Sequence, residues 1–225
     1  MKRFSSWQFG LCLSICGSLA ACGSSSSDAT WNGKTFLLDS TKIPKGAWSR
    51  PRGVGSELGG FVPQFLISID ADAMNATITT AQAGVQDPCT VTATVALEGT
   101  YPDSTISVPI FKAHITGEDN QQQPRSTIAT IRDLKLTDIL PGSANDGKLD
   151  ATLDMTDLVP LFYLLDNPDK DSVCASLKDF GAACETCAAS GEPYCEQLQA
   201  VQIAATTTSA SIVPVSDNDI PSSCL

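Results

Sequence analysis

Most of this chain alternates between apolar and polar residues with a period of two, and that pattern constrains its fold more than any other feature. Val91, Ala93, Val95 and Leu97 alternate with Thr92, Thr94, Ala96 and Glu98. Leu149, Ala151, Leu153 and Met155 alternate with Lys148, Asp150, Thr152 and Asp154. Phe65, Ile67 and Ile69 repeat the pattern more weakly, as do Ile106, Val108 and Ile110. In a strand successive side chains point to opposite faces, so such runs describe strands with one face on a core and one in water. Thr, Val and Ile are plentiful in them, as a pleated surface favours. Strands are expected near 33–39, 64–70, 75–82, 89–98, 104–108, 110–116, 126–137, 147–155, 195–207 and 210–215. Asn145-Asp146-Gly147 is a turn signal ahead of one of them.

Two stretches depart from this period. At Asn167-Pro168 an N-cap is followed by proline at a first helical position, Val173, Leu177 and Phe180 recur at helical spacing, and Gly181 stands where a helix would end. A shorter helix is expected from about 157 to 165, with Pro160 in its first turn. Residues 40–63 carry Pro44, Pro51, Gly53, Gly55, Gly59, Gly60 and Pro63 around Trp48 and Leu58. A loop that long is uncommon without a function, and it reads either as a lid or as the cover of an unrecognised short strand. The fold class expected is mainly β, an antiparallel sandwich or barrel with a small disulfide-stapled helical insert over about 157–195.

The start of the chain has a different character. Lys2 and Arg3 precede a mostly apolar run from Trp7 to Ser18, and Leu19-Ala20-Ala21-Cys22 follows. The run is too short and too interrupted for a transmembrane helix, which needs roughly 20 apolar residues. Leu19-Ala20-Ala21-Cys22 resembles the lipobox of bacterial lipoproteins, a resemblance confined to residues 1 to about 27. It implies a signal peptide over 1–21, diacylglyceryl transfer to the Cys22 thiol, cleavage before Cys22 and acylation of the new amino terminus. Residues 22–29 would be the lipidated cysteine and a flexible Ser-rich tether, and 30–225 a single mainly-β domain. Gly23, where aspartate would imply inner-membrane retention, implies the outer membrane of the cell envelope. The partner so implied is the membrane itself, through lipid on Cys22. The later part of the chain is similar only loosely to exported lipoproteins with a mainly-β body and a late C-x-x-C…Tyr-Cys segment.

Export changes how the nine cysteines are read. Cys12 and Cys16 leave with the signal peptide, and Cys22 takes the lipid. Cys89, Cys174, Cys184, Cys187, Cys195 and Cys224 remain, an even number in an oxidising compartment and therefore three disulfides. Nearness in sequence favours Cys174–Cys184 and Cys187–Cys195, which leaves Cys89 to Cys224. Two sharper readings compete: Cys184-Glu185-Thr186-Cys187 as a redox motif, which lacks the βαβ context it needs, and a Cys174/Cys184/Cys187/Cys195 zinc site.

Charge and residue inventory limit the chemistry. The net charge of −11 falls to about −13 once Lys2 and Arg3 are removed, so nucleic acid is a poor partner. The one basic spot is Lys42, Lys45, Arg50 and Arg52. His114 is the only histidine, and it lies in an expected strand where a structural role is ordinary. Asp146, Asp150, Asp154 and Asp157 do not match a calcium loop, and Asp166, Asp169 and Asp171 suit a helix N-terminus. Gly53-Val54-Gly55-Ser56-Glu57-Leu58-Gly59 neither follows a strand nor opens a helix, as a phosphate loop must. No catalytic residue, metal ligand or cofactor is assigned. The expected function is a non-enzymatic structural or protein-binding role in the envelope. The alternatives are an apolar-ligand cup with 40–63 as its lid and a carboxylate-based hydrolase.

Overall fold

Among the described residues, eleven strands join into one antiparallel sheet that curls into a half-barrel. The computed structural model describes residues 31–51, 61–118, 123–162, 168–179 and 182–224. The signal segment, Cys22, the tether, Arg52, the stretch Gly53–Gly59, Gly60, Asp166, Asn167, Phe180 and Gly181 lie outside the described residues. The strands are β1 (Thr35–Leu38), β2 (Trp48–Arg50), β3 (Gln64–Asp70), β4 (Asn75–Gln82), β5 (Val85–Gln86), β6 (Ala93–Thr100), β7 (Asp103–Glu118), β8 (Pro124–Thr137), β9 (Gly147–Asp154), β10 (Cys195–Ile203) and β11 (Thr206–Thr208). Their spatial order is β11-β1-β3-β4-β6-β7-β8-β9-β10-β2, with β5 beside β4.

The curl follows from connectivity. β6 turns the corner, because Ala93–Ala96 pair with β4 while Leu97–Thr100 pair with β7. β10 and β11 stand near opposite ends of the order, yet only residues 204 and 205 separate them. Three Cα–Cα steps reach at most about 11 Å, so the two ends of the sheet must approach each other. The interior this creates is filled by side chains. Phe36, Phe65, Ile67, Phe111, Ile131 and Leu134 are fully buried, and the Phe65 and Phe111 rings meet 6.0 Å apart across the two halves. A single apolar cluster runs from Phe36 to Ala205.

Several local expectations are corrected. The two strands expected at 104–108 and 110–116 are one long β7, and its inward face changes parity midway. Ile106 and Val108 are buried, then Phe111, Ala113 and Ile115, so Ile110 is 57 % exposed instead of continuing the inward row. On β8 the same switch separates Ala129 and Ile131 from Leu134 and Leu136. Asp133, at φ 51°, lies in the β8 register shift, opposite Pro109, which has no N–H to donate. An irregularity of this kind re-aims every side chain beyond it.

In the described part of 40–63, residues 40–51 are built from short elements. Ser40–Lys42 and Lys45–Ala47 form 3-10 turns, and β2 pairs with β10 through Trp48↔Ala200 and Arg50↔Gln199. The helix expected at 157–165 is a 3-10 segment, Met155–Leu161, capped by the Asp154 side chain. α1 (Lys170–Asp179) begins two residues beyond Pro168. Its cap is Asp169, whose carboxylate accepts from Ser172 N at 2.7 Å while Ser172 Oγ accepts from Asp169 N at 2.9 Å. Residues 210–215 form no strand. Pro214 interrupts the donors there, and side chains supplement one backbone bond from Thr92 N to Val215 O: the Gln86 side chain bonds Val213 N and O, and Thr92 Oγ1 bonds Val215 N and O. Among the described residues, no helix is long and apolar enough to cross a membrane.

Candidate functional site

Three disulfides fix the periphery. Cys89 joins Cys224, Cys174 joins Cys184, and Cys187 joins Cys195. These are the pairings that nearness in sequence favoured. With their sulfurs bonded in pairs, Cys174, Cys184, Cys187 and Cys195 are not the four free thiolates of a zinc site. Cys184 and Cys187 are each bonded elsewhere, so Cys184-Glu185-Thr186-Cys187 is not a redox pair. The bridges hold α1 and the 182–194 segment against the end of β10, where Glu185 and Cys195 exchange backbone hydrogen bonds of 2.6 and 3.0 Å. Lys170 over the Tyr194 ring and Tyr194 Oη donating to Asp171 at 2.7 Å secure the same corner.

A cleft of about 490 Å³ opens at this corner, lined by Ser49, Arg50, Pro51, Ala182, Ala183, Glu185, Glu196 and Gln199. Glu196 is its distinguishing residue. It shares the inward face of β10 with Leu198 and Ala200 and lies opposite Leu153, so the strand's geometry carries its carboxylate off the solvent side. It is 5 % exposed, and Oε2 is buried with no hydrogen-bond partner. Burial, with the charge of Glu185 added and that of Arg50 opposing, pushes its carboxyl up to about 7. Arg50 is otherwise engaged: its guanidinium lies 3.5 Å from Glu185 and donates to the Gln197 side chain. Glu185 also borders a second surface groove on the outer face, with exposed Ile110, Arg132 and Gln197.

The other candidates find structural employment. His114 Nδ1 lies 2.8 Å from Asp87 Oδ2, in a nearly closed site. Asp87 also accepts from Gln82 Nε2 and Cys89 N, and Thr90 Oγ1 accepts from His114 N and Thr80 Oγ1. The network ties β7 to the turn that carries the Cys89–Cys224 bridge. Asp87, Cys89 and His114 bring possible ligand atoms within 4.8 Å of one another, as do Asp154, Cys187 and Cys195. In both groups the sulfur is already bonded in a disulfide.

Asp154 accepts from Thr156 N and Oγ1 as the cap of the 3-10 segment, and Asp157 accepts from Thr130 N, which ties that segment to β8. Lys42 pairs with Asp39 at 3.0 Å, and Arg50 pairs with Glu185, so this part of the basic spot balances nearby carboxylates. Trp48 is packed in the core, and the Trp31 ring meets those of Phe36 and Tyr101 at tilted angles. Glu196 is the residue that sequence reasoning missed. A carboxylate sharing parity with Leu198 and Ala200 in an expected strand was the available signal.

The fold is thus a curled antiparallel half-barrel with a filled interior and a carboxylate cleft at a disulfide-stapled corner. Compared with protein-family models, with curated proteins and with solved structures, the chain shows no match.

Proposed function

We propose that this protein is held to the outer membrane through lipid on Cys22 and acts there by binding another protein, without catalysis. The observation that carries the binding role is the Glu196 cleft: an unpartnered buried carboxylate at the surface of a domain whose interior is full. A buried polar group without a partner is costly, and a partner that supplies the missing hydrogen bond recovers that cost. The support for the anchor is Leu19-Ala20-Ala21-Cys22. Two or more acyl chains on Cys22 anchor stably where one is marginal. A lidded apolar cup has less support, because Trp48 in the supposed lid belongs to the core and β2 is hydrogen-bonded to β10.

Cys22→Ser should release the protein from the membrane fraction or leave the unprocessed precursor. Mass spectrometry of the wild type should show an acylated amino terminus at Cys22, and an unmodified mature terminus would end the anchor reading. Native mass spectrometry of the protein taken from its own envelope should show a retained protein partner. Retained lipid alone would favour the cup.

A second reading, hydrolysis by carboxylates, is favoured by one observation: Glu196 is pushed up to about 7 with Glu185 bordering the same cleft. A carboxyl group that holds its proton near neutrality is suited to general acid work. Turnover of a glycoside or ester by the wild type, lost in Glu196→Gln, would put that reading first.

A further inference from the structure

Resting on the protein-binding reading, we propose that the Glu196 cleft receives a primary ammonium group, the end of a lysine side chain presented by the partner. Four features point to this chemistry. Glu196 borders the cleft, and its Oε2 is buried just behind the wall without a hydrogen-bond partner, so the site is short of a donor. The cleft's only cation among its lining residues, Arg50, is already directed to Glu185 and Gln197. Pro51, Ala182 and Ala183 give apolar flanks for a methylene stem whose charged end alone needs polar contacts. The chain carries a net charge of −11, which draws a basic partner and repels an acidic one.

The other occupants fit less well. An anion would face two carboxylates. Calcium takes six to eight oxygen ligands, and here a guanidinium stands in the same cleft. A guanidinium seeks a carboxylate it can grip with two parallel bonds, whereas an ammonium is a compact donor that suits one orphan oxygen.

Binding is coupled to a proton. The groups around Glu196 are Glu185 on the 182–187 segment and Arg50 on β2, while its β9 partner is the apolar Leu153 and Asp154 lies one register step away, opposite Cys195. The ammonium pairs with the ionised carboxylate. Its affinity therefore falls about tenfold per pH unit below the Glu196 midpoint and levels off above it.

The test uses the full mature domain with 13C-labelled glutamate, following the Glu196 carboxyl resonance by NMR. n-Butylammonium chloride should lower the Glu196 midpoint by one unit or more in a saturable way. Tetramethylammonium chloride, which has no N–H to donate, should not do so at equal ionic strength. Glu196→Gln, followed through the neighbouring Ala182 and Ala183 amides, should weaken butylammonium binding at least tenfold while the fold persists. Equal shifts with both salts, no shift with either, or preferential binding of calcium would overturn the proposal. Vesicles of phosphatidylethanolamine that reproduce the butylammonium shift would overturn lysine as the source. The protein-binding reading fails separately. A partner retained equally by wild type and Glu196→Gln removes lysine docking at the cleft and leaves the reading. Butylammonium binding with no protein partner from the envelope leaves the ammonium site but removes both the reading and the lysine source.

Discussion

Glu196 couples the stability of the domain to pH, and its position on β10 sets the sign. Burial raises its pKa from the ordinary 4.5 to about 7, so the folded state holds a proton that the unfolded chain has released. Its contribution is fully present below about pH 4.5, is lost as pH rises through the window up to about 7, and the loss then levels off. The rise from 4.5 to about 7 corresponds to about 3 kcal/mol across the window. Glu196→Gln keeps the shape and removes the charge. Its stability should match the wild type at pH 4 and exceed it by about 3 kcal/mol at pH 8. Urea denaturation at the two pH values measures the difference, and equal stabilities at pH 8 would mean that the carboxylate is solvated. The residue was legible in principle, since its parity with Leu198 and Ala200 is written in the sequence. Its partners were not, because Arg50 lies 146 positions away and only the β2–β10 pairing brings it near.

At the scale of elements, the irregularities of the strands matter as much as their existence. β3 and β4 stand at the residues that alternation and turn chemistry indicated, 64–70 and 75–82. Gly147 shows what alternation does not carry. It closes the turn and opens the strand expected at 147–155, and as the first residue of β9 it pairs with Ile203, where β10 is irregular and Gln202 has φ 57°. A Cβ on Gly147 would lie 2.0 Å from Ile203 O and 3.1 Å from Ile139 Cα. The glycine is required by close backbone approach, not by a left-handed conformation. Gly147→Ala should therefore cost about 3 kcal/mol by forcing the two backbones apart. A denaturation midpoint unchanged from the wild type would show that β10 yields freely. The parity switch at Pro109 and Asp133 has the same origin, since it depends on which β8 residue faces the proline.

For the whole molecule, the disulfides divide into local staples and one long tie. The Cys89–Cys224 bridge closes a separation of 135 residues, against 10 for Cys174–Cys184 and 8 for Cys187–Cys195. It joins the turn after β5 to the tail that is also held by hydrogen bonds from the Gln86 side chain and from Thr92 N and Oγ1. By loop-closure entropy the long bridge contributes about 5 kcal/mol and the shortest about 2.5. Replacing Cys89 and Cys224 together by serine should thus lower stability about twice as far as replacing Cys187 and Cys195. Urea titration of the two oxidised variants compares them. Equal losses would show that the tail is held in place without the bridge.

The sequence by itself determined the class of fold and most of the strands, and it favoured the cysteine pairing that the structure shows. Each of these rests on short-range physics: a period of two set by the strand, turn residues set by backbone sterics, and loop closure that favours near cysteines. It also carried the lipobox resemblance, since that signal is a contiguous string of residues. Only the tertiary structure decided that the sheet curls into a half-barrel, because β6 divides its pairing between β4 and β7. The same holds for Trp48, which entered the core only when β2 paired with β10. Glu196, Glu185 and Arg50 became one site by the same means. Contacts between residues far apart in the chain depend on how the sheet closes, and no local pattern of side chains encodes that closure.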